Sequence, residues 1–228
     1  MNIPKNKNAF TLIEFLIALS LSVLLCAGIF SLFNTLQNLN RRQMITENEY
    51  NQTQFINAFL REKIHMAGNN SCVSASEKHH SIAVHDFDTV SAKQLLGLTI
   101  KPGTQLLQLN ECIRLHDQFQ YLPVAFFIAD THRMTPNKKN INALFIKLGD
   151  HPREELVTGM TDFQLHLYYL SHDKNNIQGI EINFLLSSVD NVLKNPQIYW
   201  FNGESITASD RALYQPGILY AAVQDQLS

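Results

Sequence analysis

The sequence predicts an α+β protein: one long N-terminal helix whose second half packs on the antiparallel β-sheet of a following head domain. Three observations lead there. Phe10 to Phe33 is nearly continuous in Phe, Leu, Ile, Val and Ala. No Pro occurs between Pro4 and Pro102, and Gly28 is the only Gly before Gly68, so helical character persists to about Ala67. Beyond Cys72 the chain divides into short apolar or alternating runs separated by turn residues, the pattern of strands.

The first stretch sets the class of the molecule. A helix from Phe10 to Phe33 rises roughly 36 Å, enough to cross the ~30 Å hydrocarbon core of a bilayer. Its one charge is Glu14, and a carboxylate in such a helix costs roughly 2.5–3.5 kcal/mol to insert even on the lenient scale. A charge that expensive needs a partner or a purpose; the plain alternative is a lone Glu snorkelling to the headgroups. The leader before it, residues 1–9, carries Lys5 and Lys7 and no acid, which favours the cytoplasmic side for the leader and the far side for the rest. Arg41-Arg42 runs against this tendency, but the leader lysines sit closer to the apolar run.

Two other processing readings fit less well. A secretory signal has an apolar core of roughly 7–15 residues, shorter than this run, although Cys26-Ala27-Gly28 resembles a cleavage site. A lipid-modified cysteine usually follows a small residue, whereas Cys26 follows Leu25, so Cys26 is expected to be an apolar filler buried in the helix.

The helix then turns polar over 34–67 while keeping an apolar face. Phe55, Ile56, Phe59, Leu60 and Ile64 recur at three- and four-residue spacings, and that face should pack on a sheet. Gly68-Asn69-Asn70 supplies the stop. The whole helix would span roughly 85 Å.

Expected strands are Ile82 to Phe87, Gln105 to Leu109, Pro123 to Ala129, Ala143 to Leu148, Phe163 to Leu170, Ile180 to Leu186 and Ile198 to Phe201. Phe163-Gln164-Leu165-His166-Leu167-Tyr168 and Ile180-Glu181-Ile182-Asn183-Phe184 both alternate, and the polar turn Asp173-Lys174-Asn175-Asn176 between them makes this pair the clearest hairpin. Thr135 to Asn140 reads as an exposed loop. No repeat or low-complexity linker divides residues 68–228, so they form one head domain.

Composition narrows what the head does. A net charge of −2 with scattered Lys and Arg gives no basic footprint for nucleic acid, and Lys138-Lys139 alone is too narrow a cluster. His79, His80, His85, Asp86 and Asp88 contain suitable metal ligands, but at no standard zinc spacing. There is no Gly-x-Ser-x-Gly turn and no phosphate-binding Gly loop, so no catalytic residue, cofactor or metal is expected, and the chain is not expected to be an enzyme. Cys72 and Cys112 form an even pair on the oxidising side, where a bond closing a loop of about 40 residues would stabilise the head by about 3–4 kcal/mol; two buried free thiols are the alternative.

Ala9-Phe10-Thr11-Leu12-Ile13-Glu14 resembles the prepilin signature of type IV pilins and type II secretion pseudopilins: a short basic leader, a small residue at the cut, a Phe, and a Glu four positions after it. The resemblance implies a type IV pilin-like fold, cleavage between Ala9 and Phe10 by a membrane prepilin peptidase, and methylation of the new Phe10 amino group. Ala9 departs from the family's usual Gly and is the next smallest side chain. Glu14 would then neutralise the N-terminal ammonium of a neighbouring subunit inside an apolar filament core.

Phe59-Leu60-Arg61-Glu62-Lys63-Ile64-His65-Met66-Ala67-Gly68 followed by Cys72 is similar to the helix end of PilW-type minor pilins, and Glu155 to Leu165 is similar to their segment entering the central strands. Residues from about Asn191 onward resemble nothing nameable. By this resemblance the chain is a minor pilin that primes type IV pilus assembly, with a place at the pilus tip. Its partners would be other minor and major pilins, the prepilin peptidase and the inner-membrane assembly platform. Before assembly it would cross the inner membrane once, its head in the periplasm and its helix in the lipid bilayer. A J-type pseudopilin of a type II secretion system has the same architecture, and a membrane-anchored periplasmic domain with an uncleaved helix is the rival from another class.

Overall fold

A single helix, α1, runs from Leu12 to Met66. The computed structural model describes residues 12–67, 72, 82–86, 100–115, 118–135, 138–170 and 177–223. Residue contacts divide the chain into two units, Met1–Ile45 and Thr46–Ser228. In the first, the apolar window of α1 has a mean hydropathy of 2.5 and no buried residue. In the second, α1 buries Glu49, Ile56, Leu60 and Ile64, spaced by seven, four and four residues so that all four share one face. The amide of Ala67 closes the last turn by donating to both Lys63 O (2.9 Å) and Ile64 O (3.2 Å).

The strands are β1 (Ile82–Asp86), β2 (Gln105–Leu115), β3 (Gln118–Met134), β4 (Asn140–Leu148), β5 (Glu154–Thr158), β6 (Met160–Tyr169), β7 (Ile177–Ser187), β8 (Ile198–Phe201), β9 (Glu204–Thr207) and β10 (Tyr214–Ala222). A five-stranded sheet has the order β1-β2-β3-β4-β5, a three-stranded sheet β10-β7-β6, and β8 pairs with β9. Every pairing is antiparallel. The expected β6–β7 hairpin is present, with Phe163 opposite Phe184 and Leu165 opposite Ile182.

One residue joins the two large sheets. Gly159 separates β5 from β6 with φ +87°, a conformation that favours glycine. Its amide donates to Asn142 O of β4 and its carbonyl accepts from Ser187 N of β7, both at 2.8 Å. The chain therefore changes sheets there, and a Cβ at this position would lie 2.4 Å from Ser187 O.

The main core unites both sheets with α1. Ile56, Leu60, Ile64 and Ala67 pack with Leu107, Leu109, Val124, Phe126 and Ile128 of one sheet and Phe163, Ile182, Phe184 and Leu186 of the other. Each such Leu, Ile or Phe contributes ~1.5–3 kcal/mol by leaving water. Phe59 meets Phe126 edge-on at 6.1 Å and stacks on Phe55 at 5.5 Å. Phe55 itself stays half exposed and borders the face expected to be buried. Two smaller cores form besides it: Ile100, Leu106, Ala125, Phe127 and Phe145 in one, and Leu185, Phe201, Ala208, Ala212 and Tyr214 in the other.

Three strands exceed the sequence expectation: β5, β9 and β10. Pro216 and Gly217 obscure β10, yet Pro is tolerated on a sheet edge, and β10 is the edge of its sheet. Gly217 lies opposite Phe184, whose ring occupies the space of the missing side chain, 2.2 Å from where a Cβ would stand. The β8–β9 hairpin turns through Asn202 (φ 51°) and Gly203 (φ 78°), the Asn-Gly pair that a two-residue turn requires.

Candidate functional site

The chemistry-bearing feature of the first unit is a carboxylate in an apolar helix. Glu14 lies in the first described turn of α1. Around it, Leu12, Ile13, Phe15, Leu16 and Ile17 are all more than half exposed. The polar groups of this stretch are turned back on the backbone: Ser20 Oγ donates to Ile17 O (2.8 Å), Ser22 Oγ to Ala18 O (2.6 Å) and Thr35 Oγ1 to Ser31 O (2.9 Å). Satisfying hydroxyls within the helix is what a hydrocarbon surrounding demands. The expected processing residues Ala9 and Phe10 lie outside the described residues. Cys26, expected to be buried, is a free thiol on the exposed helix surface, because the run is apolar on all sides and has no inward face within the chain.

The second unit fastens the end of α1 by two links. Cys72 and Cys112 are joined by a disulfide with Cα atoms 5.9 Å apart. Beside it, Lys63 Nζ donates to Glu111 Oε1 at 2.9 Å, the Glu111 side chain being only 3% exposed. An acid that deep requires its partner. The two links hold neighbouring positions of β2 to the helix end.

Sequence reasoning missed a second carboxylate on α1. Glu49 is 5% exposed, and its Oε2 has no hydrogen-bond partner among the described residues. Burial pushes its pKa up to about 7, since desolvation penalises the charged form. The position was legible: seven residues before Ile56 is two turns along the same face.

His85 and Asp86 are adjacent on β1 and so point to opposite faces; Asp86 Oδ1 instead accepts from Gln105 Nε2 at 2.7 Å. His79, His80 and Asp88 lie outside the described residues. Among those described, no group of three or more His, Cys, Asp or Glu is placed to hold a metal ion. Lys139, expected in a solvated loop, pairs with Asp210 Oδ2 at 2.6 Å and borders a cleft. This pairing across 71 residues of chain could not be seen in local sequence.

Residues 4–30 match the model of the prokaryotic N-terminal methylation motif. No curated protein and no solved structure matches the chain. The motif is the signature of type IV pilin-like proteins and pseudopilins, and it implies processing by a prepilin peptidase and assembly with other pilins. The apolar helix beside it fits a membrane-anchored chain of that kind, and the long helix with an antiparallel head fits a type IV pilin-like fold.

Proposed function

We propose that this chain is a minor pilin of the PilW type that primes type IV pilus assembly from the inner membrane and takes a place at the filament tip. One observation carries the reading: the methylation motif at residues 4–30 runs without interruption into a helix that is apolar all round and then packs one face in a β-sheet head. Residues 1–9 are the leader, 10–33 the membrane half of the helix, 34–67 its periplasmic half and 68–228 the periplasmic head. Function is assembly, with no catalytic turnover. Cleavage after Ala9 creates an ammonium on Phe10 that is methylated, and Glu14 of one subunit neutralises that terminus on its neighbour as lipid is exchanged for helix neighbours. A pairing of this kind is strong where water is excluded. Other minor pilins, major pilins and the assembly platform are the partners.

The test is the N-terminal mass of the membrane-extracted protein, with and without the prepilin peptidase. A chain beginning at methylated Phe10 only when the peptidase is present is the expected result. An intact leader in both cases returns the chain to an anchored domain of other function. The same motif serves J-type pseudopilins, so copurification with secretion-system subunits instead of pilus subunits would replace the machine while leaving the mechanism.

A further inference from the structure

The change of sheets at Gly159 opens a cleft in the head. Two hollows of about 290 and 610 Å³ share Lys139, Asn140, Asn142 and Thr161 at their boundary. The smaller lies near the lower end of the ~300–1,000 Å³ typical of small-molecule sites. More of its exposed lining is apolar than polar, with the amides of Asn142 and Asn191 and the hydroxyl of Ser209 among the polar groups, and the larger adds charge from Lys101, Lys138 and Asp162.

The charged groups differ in how fully they are used. Lys139 donates to Asp210 Oδ2 at 2.6 Å and to Tyr214 Oη at 3.4 Å. Asp162 Oδ1 accepts from Phe163 N at 2.8 Å and Gln164 Nε2 at 2.9 Å. Lys101 has three N–H donors and gives one to the neutral carbonyl of Thr161. Burial pulls its pKa below the usual lysine range, with Asp162 opposing that shift and Lys139 adding to it. Lys138, held at φ 60°, forms no ion pair among the described residues. Three lysines against Asp162 and Asp210 leave the cleft with one net positive charge. A singly charged carboxylate matches that surplus, whereas a phosphate dianion would exceed it in the field of Asp162.

We propose that this cleft binds a small hydroxylated carboxylate, a sugar acid, with Lys101 as the counter-ion of the carboxylate and the surrounding amides and hydroxyls holding the hydroxyl groups. The site is independent of the assembly role of the helix. It gives the head a recognition function that the N-terminal motif does not imply.

The experiment is calorimetric titration of the full chain in detergent micelles with D-glucuronate as the probe. Saturable one-site binding is expected, weakened about tenfold or more with D-glucose, which lacks the charge, and with acetate, which lacks the hydroxyls. Lys101→Gln should lose about tenfold, Lys101→Arg should stay within about threefold, and Lys194→Gln, an exposed lysine outside the cleft, should bind as the parent does. Melting of each variant checks that the head is folded. Absence of saturable binding, equal affinity for glucose or acetate, tighter binding of inorganic phosphate, or an unaffected folded Lys101→Gln would each overturn the proposal. Should Lys101→Gln fail to fold, Lys138→Gln decides the matter: about threefold weaker binding is expected, and unchanged affinity overturns it.

Discussion

Leu24 and Leu60 belong to the same helix, yet Leu24 is 70% exposed and Leu60 is fully buried. Around Leu24 the neighbours are apolar apart from Ser20 and Ser22, whose hydroxyls turn back on the backbone, so no rotation of the helix could select a face to hide. Around Leu60 the polar residues Arg61, Glu62 and Lys63 alternate with Ile56 and Ile64, and only one face can enter a core. The difference teaches what each unit is built to meet. An all-round apolar surface needs an apolar solvent or many apolar neighbours, while a one-faced helix needs a single sheet surface. A carboxylate on each half follows the same logic: Glu14 stands among exposed apolar side chains, and Glu49 is buried by its own domain.

The largest difference between the halves should appear in assembly. Glu14→Ala leaves a neighbouring ammonium unpaired in the filament, a loss on the order of 3 kcal/mol and about a hundredfold in incorporation. Immunoblots of sheared pilus and membrane fractions should show the variant retained in the membrane and missing from the filament, with the melting of the head unchanged. Normal incorporation would mean that the charge serves no subunit pairing.

Core truncation should divide the halves next. Leu60→Ala removes a buried side chain shared by helix and sheets and should cost about 3 kcal/mol, read as a lower denaturant midpoint. Leu24→Ala should leave that midpoint where it was. Equal effects of the two would show that the stability of the head is not confined to residues beyond Thr46.

The effect confined to one pH range concerns Glu49. With a folded pKa of about 7 against an ordinary 4.5, the folded head holds a proton that the unfolded chain releases. Stability is then fully present below about pH 4.5, falls as pH rises towards 7, and stays low above it. Glu49→Gln should flatten this slope, raising stability at pH 8 by about 3 kcal/mol and changing little at pH 4. Denaturation curves at the two pH values check the sign; a parent head that gains stability from pH 4 to pH 8 while the variant does not would contradict it.

Much of the architecture could be read along the chain because it depends on local patterns. An unbroken Pro-free stretch makes the helix continuous, a four-residue spacing places Ile56, Leu60 and Ile64 on one face, and two-residue alternation makes β6 and β7 a hairpin. Strand ends were harder to read. β2 continues through Asn110 to Leu115 and β3 from Gln118 to Met134, because ladder hydrogen bonds carry the pairing across polar residues such as Asn110, Glu111, Gln118 and Gln120 that interrupt the apolar pattern. Asn202-Gly203 was a readable hairpin turn that strand propensity alone passes over.

Composition and periodicity by themselves determined the class of the first unit: a run that is apolar on every side, with one acid and a basic leader, answers to its surroundings residue by residue. They also determined that the rest would be an antiparallel head on one helix face. Only the tertiary structure decided that β5 and β6 belong to different sheets through Gly159, that Gly217 is required beneath the ring of Phe184, that Glu111 is sealed against Lys63, and that Lys101, Lys138, Lys139, Asp162 and Asp210 converge on one cleft. Those outcomes depend on contacts between residues about 20 to 110 positions apart, and an interaction at such separation leaves no period in the sequence to be read.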